Sequence, residues 1–264
     1  MSARITTTIS GHIAQVQLNR PEKKNALDLA LFKELIATGE ALKSRTELRA
    51  VILSGKGGTF CAGIDTASFT EIATKIDQIR QEILTPPQGQ IANRFQRPVT
   101  VWQELEIPVI AAIEGVAFGA GIQLALAADF RIAAPDARFS IMESRWGLIP
   151  DMGITQSLPA LMPADRAKEL IMTGRILDAQ EALSMNLITR IDENPLEAAR
   201  SLAKTLAEKS PDVIRASKKL VNQCWGSGAD GLKLEAKLQA PIIGSANQIE
   251  AVMAGMQNRP AKFK

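Results

Sequence analysis

The chain has 264 residues, 46% of them apolar and 22% charged, with 31 Lys plus Arg against 28 Asp plus Glu. That composition suits a soluble globular protein, one large domain or one domain with a small appendage, and excludes a disordered or membrane-embedded chain. The net charge of +3 is a mild excess with no long Lys/Arg run, which argues against a nucleic-acid partner and suits a small polyanionic ligand.

Two cysteines, Cys61 and Cys224, lack metal-type spacing. They fit a reducing, cytoplasmic setting without disulfides, and no metal site is expected. The first residues form no apolar h-region, so no signal peptide is expected. There is no tyrosine, and the single histidine, His12, falls beside Gly11 in an expected hairpin. Catalysis is therefore expected to use neither residue type.

Residues 4–9 and 12–18 alternate in polarity around Ser10-Gly11 and read as a β-hairpin. Asp28 is placed to N-cap a helix reaching about Ser44, with Leu29, Phe32, Leu35, Ile36 and Leu42 near helical spacing. Ala50 to Leu53 is a short buried strand, followed by the glycine-rich loop Gly57 to Asp65. Residues 66–106 are weakly patterned, hold Pro86-Pro87 and Pro98, and are expected to form helices around a mobile segment that shapes a pocket. Val109 to Ile113 is the next buried strand, and Gly115 to Gly121 is a second glycine-rich loop opening a helix to Ala127. Glu114, Gln123, Asp129 and Arg131 interrupt the apolar stretch 107–134, so it is a strand and helix and not a membrane span. Further short strands are expected at Asp129 to Ile132 and near Phe139. Strand, loop and helix recur, which makes the core α/β. Beyond residue 195 the pattern becomes helical, with amphipathic helices expected at 196–208, 211–223, 232–241 and 246–256. The chain thus divides into a core, 1–195, and a helical region, 196–264, suited to packing on the core or on another subunit.

The chemistry lies in the two glycine loops and a carboxylate segment. Each loop ends where a helix begins, and the first backbone N–H groups of a helix lack internal partners. Two such loops can aim two donors at one oxygen. Glu143 and Asp151 follow in Ile141 to Gly153. A carboxylate beside a polarised oxygen can move a proton, so the set suits making and quenching an enolate. The segment Gly119-Ala120-Gly121 after a strand also suggests a dinucleotide-binding turn, but Leu124 stands where that fingerprint needs a third small residue.

Taken together, Leu18 to Leu27, Phe60 to Asp65, Gly115 to Gly121 and Phe139 to Gly153 with Thr155-Gln156 resemble, in order and spacing, the motifs of the crotonase superfamily of enoyl-CoA hydratases and isomerases. The resemblance covers nearly the whole chain. It implies a spiral of ββα turns, a helical trimerisation tail, and trimers that can pair into hexamers. It implies an acyl-CoA thioester as substrate, with coenzyme A part of that substrate and no separate cofactor. It places the oxyanion donors on the N–H groups of Ile64 and Ala120. Ala120 stands where relatives usually carry glycine. It places Lys23 and Lys24 near the CoA phosphates, the backbone of Ala26, Ala62 and Gly63 around CoA, and the main acid/base on Glu143.

Two departures bear on the reaction. Hydratases resemble one another in carrying a second glutamate where this chain has Gln123. Glutamine can hold a water but cannot take its proton. Asp151 stands eight residues after Glu143, as in dienoyl-CoA isomerases, where hydratases have glycine. The leading expectation is a double-bond shift with Glu143 and Asp151 as proton carriers. Hydration by Glu143, with Gln123 holding water, is the alternative, and Asp151 could instead N-cap a helix at Met152-Gly153-Ile154. Decarboxylation and thioester hydrolysis use the same enolate logic. A non-catalytic member binding CoA or RNA is the alternative of another class. Phe118, Met142 and Trp146 could line an acyl pocket or serve the core, and Asp65 and Glu114 are expected to be structural or solvent-facing. Near the C-terminus, Arg259 or Lys262 could reach a neighbouring CoA.

Overall fold

The computed structural model describes residues 3–68, 74–225, 245–257 and 259–264. Its frame is a six-stranded sheet. Strands β1 (Ile5–Ser10) and β2 (Ile13–Leu18) form the expected antiparallel hairpin, with Ile5 opposite Leu18 and Ser10 opposite Ile13. The chain reverses at Gly11, whose φ of +56° favours glycine. Parallel to β2 run β3 (Ala50–Gly55), then β4 (Val109–Ile113). Every residue of β3 and β4 is buried. Parallel strands covered on both faces read as continuous apolar runs, which is why both are visible in the sequence.

Helix α1 (Leu29–Lys43) follows the hairpin. The Asp28 side chain accepts from the Leu31 N–H at 2.8 Å, and Leu31, Phe32, Leu35, Gly39 and Leu42 form the buried stripe. Leu29 and Ile36, expected on that stripe, sit at its half-buried margin. Asp28→Ala is expected to lower unfolding free energy by about 1 kcal/mol, read by urea titration. The expected helices of 66–106 include α2 (Ile76–Leu84) and α3 (Arg97–Gln103), while residues 69–73 lie outside the described residues. Gly39 lets α3 close on α1, because a Cβ there would stand 2.5 Å from a Val101 methyl.

The remaining strands alternate between two sheets. β4 lies in the large sheet and β5 (Val116–Phe118) in a small one, followed by α4 (Ala120–Leu126). The chain then returns to the large sheet as β6 (Phe130–Ala133) and to the small one as β7 (Arg138–Ser140), parallel to β5. A parallel bridge from Cys61 to Ala117 extends the small layer to the segment after β3. Successive turns of a ββα spiral thus stack side by side, and the end of each short segment delivers a different part of the site. The stretch 107–134 is these strands and α4, and among the described residues no helix is long and apolar enough to cross a membrane.

The chain continues through α5 (Ala164–Thr173), α6 (Ala179–Ser184), the two-residue edge strand β8 (Arg190–Ile191) and α7 (Pro195–Ala207). Ala198, Ala199 and Ala203 of α7 pack on Ala50, Ile52, Ile110, Ala112 and Ile132, closing a second core on one face of the sheet. The first helix of the tail is therefore a layer of the core. Helix α8 (Pro211–Cys224) buries none of its residues fully and exposes Val213 and Val221, with Trp225 just beyond. Helix α9 (Ala246–Met256) matches the last expected helix. The helix expected at 232–241, its glycine-containing flanks and Asn258 lie outside the described residues.

Candidate active site

The first loop is shaped from below by Asn25. This buried side chain donates to the carbonyls of Lys56 (3.0 Å) and Thr59 (2.6 Å) and accepts from the Arg20 N–H (2.9 Å). Arg20 in turn pairs with Asp65 at 2.6 Å and donates to the Ala26 carbonyl at 2.7 Å. Asp65 is thus structural, as expected, but buried; the Arg20 guanidinium holds its carboxyl below the usual carboxylate range. The expected CoA loop is docked on the glycine loop by main chain as well. The Ala62 N–H donates to the Lys24 carbonyl (3.0 Å), and the Leu27 N–H to the Gly63 carbonyl (2.7 Å). The residues of that loop differ in exposure. Lys23 and Lys24 point into solvent, Ala26 is buried and Ala62 half-buried. Asn25 and Arg20 were not singled out from the sequence. Asn25 has φ +56°, a conformation in which asparagine is enriched, so a left-handed turn was the only available signal.

The two glycine loops meet edge to edge. The Cys61 N–H donates to the Val116 carbonyl at 2.9 Å and the Phe118 N–H to the Cys61 carbonyl at 3.0 Å. Gly63 has φ +100°, and a Cβ built on it would stand 2.9 Å from the Phe118 oxygen and 3.9 Å from the Ala120 nitrogen. The glycine before Ile64 thus packs against the chain that leads into Ala120. Among the described residues, neither the Ile64 N–H nor the Ala120 N–H donates to any protein acceptor. Two unpaired donors at a loop junction are what an oxyanion needs. Ala120 is buried, so its methyl is absorbed into the core. Gly63→Ala is expected to push the loops apart and lower kcat about 10²-fold, since displacements of about 1 Å at a reacting centre cost that much. An unchanged kcat would remove the junction from the catalytic machinery. Cys61 lies at this junction, but burial pushes its thiol up to about 12, so it is no nucleophile.

Facing the donors is Glu143, first residue of a 3-10 turn, Glu143–Trp146. Its approach is fixed by β7, where the Ser140 carbonyl accepts from the Gly119 N–H at 2.9 Å. Gly119 has φ +51°, and a Cβ on it would touch Glu143 Oε1 at 3.4 Å. The carboxyl is buried, with Oε1 accepting from Gln123 Nε2 at 2.7 Å. Oε2 is buried and, among the described residues, has no hydrogen-bond partner. A carboxylate oxygen in that state is costly and calls for an explanation, and a substrate proton supplies one. Burial pushes the Glu143 carboxyl up. Its own backbone N–H and the Gln123 amide offset part of this, and the charge of Asp151 adds to it.

Asp151 lies close enough to act on Glu143 electrostatically. Its side chain reaches the surface of the single chain, yet the protein around it withdraws enough water to raise its carboxyl as well. The N-cap role weighed for Asp151 is not met. The following 3-10 turn, Ile154–Gln156, is preceded by Gly153 with no side-chain cap, and the Met152 N–H goes to Gln123 Oε1 at 2.8 Å. Phe118 and Met142 are half-buried and neither is core, and Met142 Cγ lies 3.8 Å from the Cβ position of Gly119, on the Glu143 side of the loop. Trp146 is 55% exposed, which also removes the core alternative for it. Arg259 is engaged by Glu250 through two contacts of 2.6 and 3.0 Å. A cavity of about 1380 Å³, bordered by Arg97, Asp129, Lys218 and Trp225, touches none of Glu143, Asp151, Ile64 and Ala120.

Residues 8–264 match the family model described as enoyl-CoA hydratase/isomerase. The chain is 33% identical to mouse mitochondrial methylglutaconyl-CoA hydratase over 262 residues, covering 96% of this chain and 79% of that protein. It is 32% identical to rat mitochondrial Delta(3,5)-Delta(2,4)-dienoyl-CoA isomerase over 271 residues, covering 97% and 80%. A crystal structure of an enoyl-CoA hydratase from Bacillus anthracis superposes with a TM-score of 0.88 at 32% identity, covering 99% of both chains.

Proposed function

The chain belongs to the enoyl-CoA hydratase/isomerase family, and from that premise we propose that it shifts a carbon–carbon double bond along an acyl-CoA thioester, with Glu143 and Asp151 as proton carriers. The observation that carries this reading is the pairing of a buried, half-unpartnered Glu143 with an Asp151 that has no capping duty. Glu143 Oε2 takes a proton from an acyl carbon. The electron pair moves into the thioester carbonyl, and its oxygen is held by the N–H groups of Ile64 and Ala120. Each such donor contributes about 3 to 4 kcal/mol to lowering the barrier. The pair then flows back through the conjugated chain to a carbon further along, which takes a proton from Asp151, whose carboxyl is raised by burial; the proton held by Glu143 leaves to solvent and Asp151 takes one from solvent, restoring both groups. The charge of Asp151 raises the Glu143 carboxyl, so the two titrations are linked and one can be ionised while the other keeps its proton.

No resident cofactor or metal enters this scheme, because coenzyme A arrives with the substrate. Lys23 and Lys24 suit its phosphates, and the main chain of Ala26, Ala62 and Gly63 its remainder. Phe118, Met142 and Trp146 border the acyl end. The apolar Val213, Val221 and Trp225, exposed on a single chain, support a homotrimer or a hexamer of paired trimers. Hydration is the second reading, supported by the likeness to a protein named methylglutaconyl-CoA hydratase. Among the described residues Gln123 keeps one N–H and one lone pair unengaged for a water, but it has no basicity. Purified protein given 3-enoyl- and 3,5-dienoyl-CoA should move the double bond without a mass change. Rapid addition of water to a medium-chain trans-2-enoyl-CoA, without isomerisation, would reverse the assignment.

A further inference from the structure

Gln123 is almost wholly buried, at 2% exposure, and its amide is engaged at both ends. Nε2 donates to Glu143 Oε1 at 2.7 Å, and Oε1 accepts from the Met152 N–H at 2.8 Å. The orientation of the amide is forced chemically. Turned over, it would set oxygen against carboxylate and NH₂ against N–H. We infer that Gln123 is a positioning residue, a clamp that reserves Glu143 Oε2 for the travelling proton and ties the Glu143 carboxyl to the peptide that carries Asp151.

A carboxyl oxygen that already accepts a short hydrogen bond and lies against Gly119 is a poor place for a proton. The other oxygen has no partner, so protonation is directed there. The same donor favours the ionised form of Glu143 against the burial that opposes it. Few other charges compete. Helix α4, which carries Gln123, holds no charged residue. Arg145 on the Glu143 turn is exposed, and α5, packed against that turn, presents Asp165, Arg166 and Lys168 to solvent while its Glu169 pairs with Arg175. Asp151 is the charge that acts on Glu143, and the Met152 peptide held by Gln123 fixes where it stands.

The inference rests on Glu143 carrying a proton and holds for either isomerisation or hydration. Its test uses the whole protein and two variants. Gln123→Met keeps the length and removes both hydrogen bonds; Gln123→Glu keeps an acceptor for Met152 and removes the donor to Glu143. The first readout is α-proton exchange of a saturated acyl-CoA in deuterated water, followed against pH. Glu143 must be ionised to act, so exchange falls as pH drops through its titration. Without the donor that limb should move to higher pH by about one unit in Gln123→Met, and further in Gln123→Glu, where a second acid faces it. Profiles that keep the wild-type midpoint and differ only in amplitude would overturn the clamp. The second readout is a ¹³C titration of the Glu143 carboxyl, assigned by its loss in Glu143→Gln, which needs no turnover. A shifted titration without exchange by wild-type protein would keep the clamp and reject the proposed function; an unshifted one would reject the clamp. If Gln123→Met does not fold, Gln123→Glu decides by the same two readouts.

Discussion

Glu143→Gln should lower turnover by about 10⁴-fold, at the upper end of what a general base contributes, while leaving CoA affinity within about twofold. The amide is nearly isosteric. Its oxygen can still accept from Gln123 Nε2, so the turn Glu143–Trp146 and the packing against Gly119 should survive. What is lost is an oxygen that can take a proton. Stability supplies an independent check. The folded carboxyl titrates above its unfolded value, so the unfolded state ionises first and the native state loses stability as pH rises through that interval. An amide has no such penalty. The variant should therefore equal or exceed the wild type in Tm at neutral pH, and that advantage should fade in acid, where both side chains are neutral. Retained turnover in a folded, CoA-binding variant would mean that another group removes the proton.

What the sequence disclosed and what it withheld divide along a physical line. The hairpin, the Asp28 cap and the buried strands β3 and β4 follow from alternation, capping and continuous apolarity, all of which act over a few residues. The glycine loops and Glu143 were legible because a resemblance supplied their context. The stacking of Cys61, β5 and β7 was not, because each is only a few residues long and acquires its place from neighbours distant in sequence. The same holds for polar side chains. Gln123 read as a possible water holder because its partners, Glu143 and the Met152 N–H, come from another turn of the spiral. Asp151 also read as a cap because a local pattern of aspartate before a turn is all that one stretch of chain can display. Trp146 read equally as pocket wall or core, and the core reading fails because the 3-10 turn carries it to the surface of the single chain.

Asp151→Asn separates isomerisation from every reaction that needs Glu143 alone. With no cap to lose, the substitution should change unfolding free energy by less than about 1 kcal/mol. Double-bond migration should nevertheless fall by about 10²- to 10⁴-fold, because asparagine cannot return a proton to the distal carbon. α-Proton exchange should persist, since Glu143 and the donors at Ile64 and Ala120 are untouched. Its pH profile should also move in a defined direction. The charge of Asp151 raises the Glu143 carboxyl, so removing it should let Glu143 ionise at lower pH and extend exchange toward acid. Loss of migration with exchange intact and shifted toward acid is the signature of a second proton carrier. Unimpaired migration would eliminate Asp151 from that role and leave Glu143 to move both protons, whereas loss of migration and exchange together would make Asp151 a determinant of the Glu143 environment.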